Sequence, residues 1–126
     1  MKIAIASDAE GLALKAALVD HLLQKGHEVI DRGAGLDAGA CAALVAATIA
    51  SGEARAGILI SATGVGVTIA ANMLPGIKAC VCPDTYAVER GASQEGMNVL
   101  CLGSGSAGVE LSKELAMSFI KAVSRP

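Results

Sequence analysis

The sequence predicts a doubly wound α/β fold in which five mainly parallel strands form one sheet with helices on both faces. Three observations carry that prediction. Short apolar runs rich in β-branched residues alternate five times with longer stretches of helical period. Gly-rich or polar links separate them. The 126 residues are 53% hydrophobic yet include no Trp, one Phe and one Tyr, so the core is built from Ala, Val, Ile and Leu. Repeated strand and helix signals call for parallel pairing through right-handed crossovers, and small side chains suit close packing of helix on sheet.

In chain order, Lys2 to Ser7 reads as a strand and Gly11 to Lys25 as a helix, with an apolar stripe of Leu12, Leu14, Leu18, Val19, Leu22 and Leu23 stopped by Gly26. Glu28 to Asp31 is the second strand. Gly33 to Gly39 is a loop, and Ala40 to Ala50 an Ala-rich helix ending near Gly52. Gly57 to Ser61 is the third strand, and its helix, reaching Asn72, is closed by Pro75-Gly76. Lys78 to Cys82 is the fourth strand. Pro83 bars further pairing and Asp84 is suited to cap the helix Tyr86 to Gln94, which Gly91 weakens. Asn98 to Leu102 is the fifth strand; after the loop Gly103-Ser104-Gly105-Ser106, Val109 to Val123 forms the last helix. No linker or repeat divides residues 1–126, so a single domain is expected.

Composition also excludes function classes. A formal net charge of -2 gives no basic field for a nucleic-acid backbone or an anionic membrane. Every apolar stretch is broken well short of the ~20 residues of a membrane span, and Met1-Lys2 leads at once into a strand rather than a secretory signal. A cytoplasmic location is therefore expected. Cys41, Cys80, Cys82 and Cys101 have no zinc-ligand spacing and read as buried reduced thiols, with Cys80 and Cys82 on one strand face. No metal and no cofactor are expected.

The segment Gly57 to Asn72, GILISATGVGVTIAAN, is the first place to look for a site. It reads as strand, glycine turn and helix N-terminus. Glycine permits close backbone approach, and the unpaired first-turn amides with the positive end of the helix dipole favour an oxygen anion. The same segment also satisfies the plain need of any parallel α/β protein for a tight turn. In such sheets ligands gather beyond the carboxyl ends of the strands. Here those ends carry Ser7-Asp8, Asp31-Arg32, Ser61-Ala62-Thr63, Pro83-Asp84 and Gly103-Ser104.

The start MKIAIASD, the segment GILISATGVGVTIAANMLPGIKA, then CPDTYAVER and NVLCLGS resemble, in order and spacing, the ribose-5-phosphate isomerase B / galactose-6-phosphate isomerase subunit family. The likeness covers nearly the whole chain, apart from a contraction of several residues around Gly33 to Gly39. It implies a Rossmann-like domain, dimers whose active sites are shared between two chains, and metal-free conversion of aldose and ketose phosphates through an enediolate.

Carried over residue by residue, the resemblance gives Asp8 contacts with sugar hydroxyls, while the histidine that usually follows it is Ala9 here. Thr63, Gly64 and Gly66 match the turn that stabilises the enediolate oxygen. Ser61 stands where the usual cysteine base stands, and Val67 where another branch has a glutamate. Asn72, Asp84 and Tyr86 match; Gln94 replaces the ring-opening histidine, Glu95 its Asn neighbour, and Gly105 a phosphate-binding arginine. The run Asp84-Thr85-Tyr86-x-x-Glu89-Arg90 resembles a branch acting on four-carbon sugar phosphates.

The candidate catalytic residues are thus Ser61, Thr63, Gly64 and Gly66, and the candidate substrate contacts Asp8, Asp37, Asn72, Asp84, Tyr86 and Gln94. Each has a plainer reading: Asp8 caps the following helix, Asp37 is a solvated loop carboxylate, and Ser61 lacks the adjacent base that would activate it. Glu10 and Glu95 are candidate replacement bases, and Arg32, Arg90 and Lys78 candidate replacement cations, all equally readable as surface charges. His21 and His27 lie away from the mouth and are expected to face solvent. Two main functions follow, beside a third reading of different chemistry at the same pocket through Glu10, Asp37 or Glu95. One is an isomerase of a small sugar phosphate, with four or five carbons. The other is a binding or partner subunit that kept the fold and lost the base, working as a homodimer or beside a paralogous chain.

Overall fold

All five strands expected from the sequence form, and every pairing between them is parallel. The computed structural model describes residues 1–125. Its elements are β1 (Lys2–Ser7), α1 (Leu12–Gln24), β2 (Glu28–Asp31), α2 (Ala38–Ala50), β3 (Ala56–Ser61), α3 (Val65–Asn72), β4 (Ala79–Val81), α4 (Thr85–Gln94), β5 (Val99–Gly103) and α5 (Val109–Val123). The sheet runs β2-β1-β3-β5-β4.

Alternation along the inner strands sorts the core into two layers. Ile3, Ile5, Ile58, Ile60, Leu100 and Leu102 face α1, α4 and α5, where Leu18, Leu22, Val88 and Phe119 meet them. Ala4, Ala6, Leu59 and Cys101 face α2 and α3, against Val45 and Val67. The second layer is thin. A Cβ on Gly57 would collide with Val45 Cγ1, so only glycine lets α2 lie this close. Each fully buried Ile or Leu contributes about 1.5–3 kcal/mol. Together they make the sheet a rigid platform for the loops at its carboxyl end.

Boundaries moved where a cap decided them. The Asp37 carboxylate accepts the Ala40 amide at 2.7 Å, which starts α2 at Ala38 rather than Ala40. Asp84 does the same for Ala87 at 2.8 Å. Strand β4 is an edge strand and is shorter than expected, with the Lys78 amide donating to Asn98 Oδ1 rather than to a strand neighbour. That also leaves Cys80 exposed, a correction to its expected burial; Cys41, Cys82 and Cys101 are buried, and all four are free thiols. His21 and His27 are half-buried rather than solvent-facing, and His27 Nδ1 has no partner. Among the described residues, no helix is long and apolar enough to cross a membrane.

One ion pair went unforeseen. Lys15, on α1 and only 6% exposed, places Nζ at 2.6 Å from both oxygens of Asp31. Burial would raise the Asp31 pKa, but the Lys15 bond and the Gly33 amide outweigh it, so the carboxyl sits below its usual 3.8. A depressed folded-state pKa means that this stability is present above about pH 4 and lost as pH falls through the lower folded value. Asp31→Asn is expected to cost about 1–2 kcal/mol near neutrality, less than a fully buried pair because the carboxylate is half-exposed. Chemical denaturation between pH 6 and pH 2 should show the wild type losing stability more steeply than the variant.

Candidate active site

The chain leaves β1 toward β2 over one face of the sheet and leaves β3 toward β4 over the other, which opens a crevice between the carboxyl ends of β1 and β3. Asp8 and the Ser61–Gly66 bend stand at its two sides. The Asp8 amide donates to Ile60 O at 3.0 Å, tying the two strand ends together. Asp8 Oδ1 accepts the Gly11 amide at 2.8 Å, so the capping role holds for one oxygen. No protein donor meets Oδ2 among the described residues. A Cβ on Gly11 would lie 2.6 Å from Ile60 Cγ2, which is why a glycine follows the Asp8 loop so closely.

The bend is held from inside. Ser61, 7% exposed, accepts the Gly64 amide on Oγ at 2.9 Å, and Thr63 Oγ1 accepts the Val65 amide at 3.2 Å. The Gly64 amide expected to face an oxyanion is therefore already engaged. Ser61 acts as an anchor, its Oγ accepting a backbone amide of the bend. Gly64 adopts φ +80, a conformation that favours glycine. Beyond these, the amides of Gly66 and Val67 have no protein acceptor among the described residues. Thr63 and Gly66 are exposed. Because Thr63 Oγ1 accepts from Val65, its own O–H is free to donate outward.

The β5 loop clamps the outer side of the bend. Ser104 and Gly105 amides donate to Ser61 O and Ala62 O, each at 2.8 Å. Gly103 lies directly beneath: a Cβ there would sit 2.6 Å from Thr63 C and 2.7 Å from Thr63 O. From the other side, a Cβ on Gly66 would be 3.9 Å from Ala38 Cβ, so the N-termini of α2 and α3 converge. Asp37, exposed, caps α2 at that point. Burial raises the Cys41 pKa, and the Asp8 and Asp37 charges add to it.

Other expected contacts fall elsewhere. Asn72 spends its amide on Ala79, donating to its O at 2.8 Å and accepting its N–H at 2.7 Å, at the amino end of the sheet. It closes the β4 edge and does not reach this chain's crevice. Gln94 ends α4 at that same end. Asp84 and Tyr86 stand beyond β4, at the carboxyl end but two strands from the crevice; Tyr86 is 71% exposed. Glu95 lines an apolar groove of about 440 Å³ along β4, and Glu10 a cavity of about 310 Å³ with Ser104, Gly105 and Val109. Of the carboxylates considered for this pocket, Glu10 and Asp37 flank the mouth and Glu95 does not.

The sequence profile of the Ribose/Galactose Isomerase family matches residues 3–125. The chain belongs to that family. It is 41% identical over 125 residues to ribose-5-phosphate isomerase B of Escherichia coli strain K12, covering 96% of this chain and 84% of that protein. It is 35% identical over 127 residues to D-erythrulose-4-phosphate isomerase of Pectobacterium atrosepticum, covering 97% and 84%. Among solved structures, ribose-5-phosphate isomerase B of Clostridium thermocellum superposes with a TM-score of 0.93 at 38% identity, covering 97% of this chain and 85% of that one. In this chain a serine whose Oγ accepts a backbone amide fills position 61 of the glycine bend.

Proposed function

We propose that this chain interconverts the aldose and ketose forms of a small sugar phosphate, with four or five carbons, through an enediolate at the Thr63 bend. The observation that carries the reading is the exposed Thr63 hydroxyl beside the unpaired Gly66 amide, at the N-terminus of α3 and on the rim of the β1–β3 crevice. Donors fixed toward a developing oxyanion stabilise it without reorganising during the reaction. The free Asp8 oxygen supports a hydroxyl contact across the crevice. A coupled assay over four- to six-carbon aldose phosphates tests the reading, and turnover of at least one is expected.

One observation favours the second reading, a binding or partner subunit. The segment Ser61 to Asn72 contains no Asp, Glu, His, Cys or Lys, so no side chain of that segment can draw the proton from the Ser61 hydroxyl, whose oxygen accepts the Gly64 amide. Proton removal beside a carbonyl needs a base within reach, worth about 100 to 10,000-fold in rate. Stabilisation of the protein by a sugar phosphate without turnover selects this alternative.

Either reading accommodates a dimer. Val65, Ile69 and Met73 form an apolar stripe along α3, exposed by 50%, 61% and 79%. A second copy seated there covers that stripe, and Gln94, remote from the crevice of its own chain, reaches a site only from such a copy. Ile69→Glu is expected to shift the species seen by light scattering from dimer to monomer. A wild-type monomer at micromolar concentration contradicts this.

A further inference from the structure

Five loops follow the five strands at the mouth, and their charges are unbalanced. Asp8 and Glu10 follow β1, Asp37 closes the β2 loop, and Asp84 follows β4, while the bend and the β5 loop carry no charge. Against these four acids stands a single cation, Arg32. A phosphate dianion brought to such a mouth meets repulsion unless that arginine faces it.

The fold gives Arg32 this placement. Its amide donates to Ile5 O at 2.8 Å, and the next residue's carbonyl accepts the Ser7 amide at 3.1 Å, so Arg32 lies on the last rung before the crevice. Asp31 turns toward Lys15 on the α1 face. Alternation then sends Arg32 to the opposite face, the side of Ala6, Cys41 and α2, which Asp37 caps. Arg32 is half-buried, and its Nε is out of solvent with no hydrogen-bond partner. None of the ion pairs among the described residues includes it. The other candidate cations are placed differently. Lys15 is spent on Asp31, Lys78 reaches Glu95 O at the amino end of the sheet, and Arg90 is exposed on α4.

We propose that Arg32 grips the anionic group of the substrate. The proposal rests on the sugar-phosphate reading above. It orients the substrate with its phosphate toward the β2–α2 loop and its carbonyl toward Thr63. A guanidinium offers paired N–H donors that match phosphate oxygens, and a desolvated donor gains more from such a bond than an exposed one.

The test compares wild type, Arg32→Gln and Arg32→Lys by steady-state kinetics on the aldose phosphate turned over best, and by thermal melting with and without inorganic phosphate. Arg32→Gln should raise KM about 10- to 100-fold, with a smaller change in kcat, and should abolish stabilisation by phosphate; Arg32→Lys should recover part of both. An unliganded melting temperature matching wild type shows that folding is intact. A KM within about twofold of wild type, or phosphate stabilisation that survives Arg32→Gln, overturns the proposal and leaves the isomerase reading standing. Should no sugar phosphate be turned over, phosphate stabilisation lost only on Arg32→Gln upholds the anion site while the isomerase reading fails. Wild type that neither turns over a sugar phosphate nor responds to phosphate overturns both.

Discussion

Thr63→Ala is expected to lower kcat/KM on the order of 100-fold, the scale set by removing one donor from an oxyanion site. The loss should fall mainly on kcat, because the hydroxyl gains most once charge develops on the substrate oxygen. Folding should change little: Thr63 is exposed, and the Val65 amide it caps is reachable by water. Thr63→Ser, which keeps the hydroxyl, should retain most activity. Steady-state kinetics beside thermal melting separate the two effects. Unchanged turnover in Thr63→Ala moves the chemistry away from the bend.

Gly103→Ala is expected to be the most damaging single methyl group in the molecule. Its Cβ would press on the backbone of Thr63 and on Ser106 Oγ, and the backbone there is already tied down by the Ser104 and Gly105 amides. Ser106 Oγ can rotate away but the Thr63 backbone cannot, so the bend itself must move. Overpacking of this kind costs about 3 kcal/mol, a fall of roughly 10 °C in melting temperature for a domain of this size. Activity should fall further than stability alone explains, since displacing Thr63 spoils the geometry of its donors. Gly108→Ala is the matched control, because a Cβ there meets nothing within 4 Å. Equal melting temperatures for the two variants would contradict the packing argument.

The sequence carried the architecture because local signals and tertiary packing agree. Ile3 and Ile5 against Ala4 and Ala6 announce both a strand and its two unequal faces, and Gly64 announces the turn that needs a positive φ. Strand order was not legible: nothing local says that β5 inserts between β3 and β4. The bend was found from its glycines, yet its internal bonding was not. Ser61 and Gly64 are three residues apart, a spacing that suits a side-chain cap, but the residue type at position 61 invited comparison with a base instead. Asn72 matched by position in the chain, whereas only the fold reveals that it pairs with Ala79 at the far end of the sheet. In the sequence Arg32, Arg90 and Lys78 read alike as cations, and only the fold, through strand alternation beside the Lys15–Asp31 pair and the unpartnered Nε, distinguishes Arg32.

Proton exchange with solvent tests the enediolate account most directly. Wild-type protein incubated with four- to six-carbon aldose phosphates in deuterium oxide, followed by proton NMR, should place deuterium at the carbon between which and its neighbour the carbonyl migrates, and Thr63→Ala should slow that incorporation in step with turnover. No conversion of any member of the panel, or conversion that carries no solvent deuterium into the product, would contradict it.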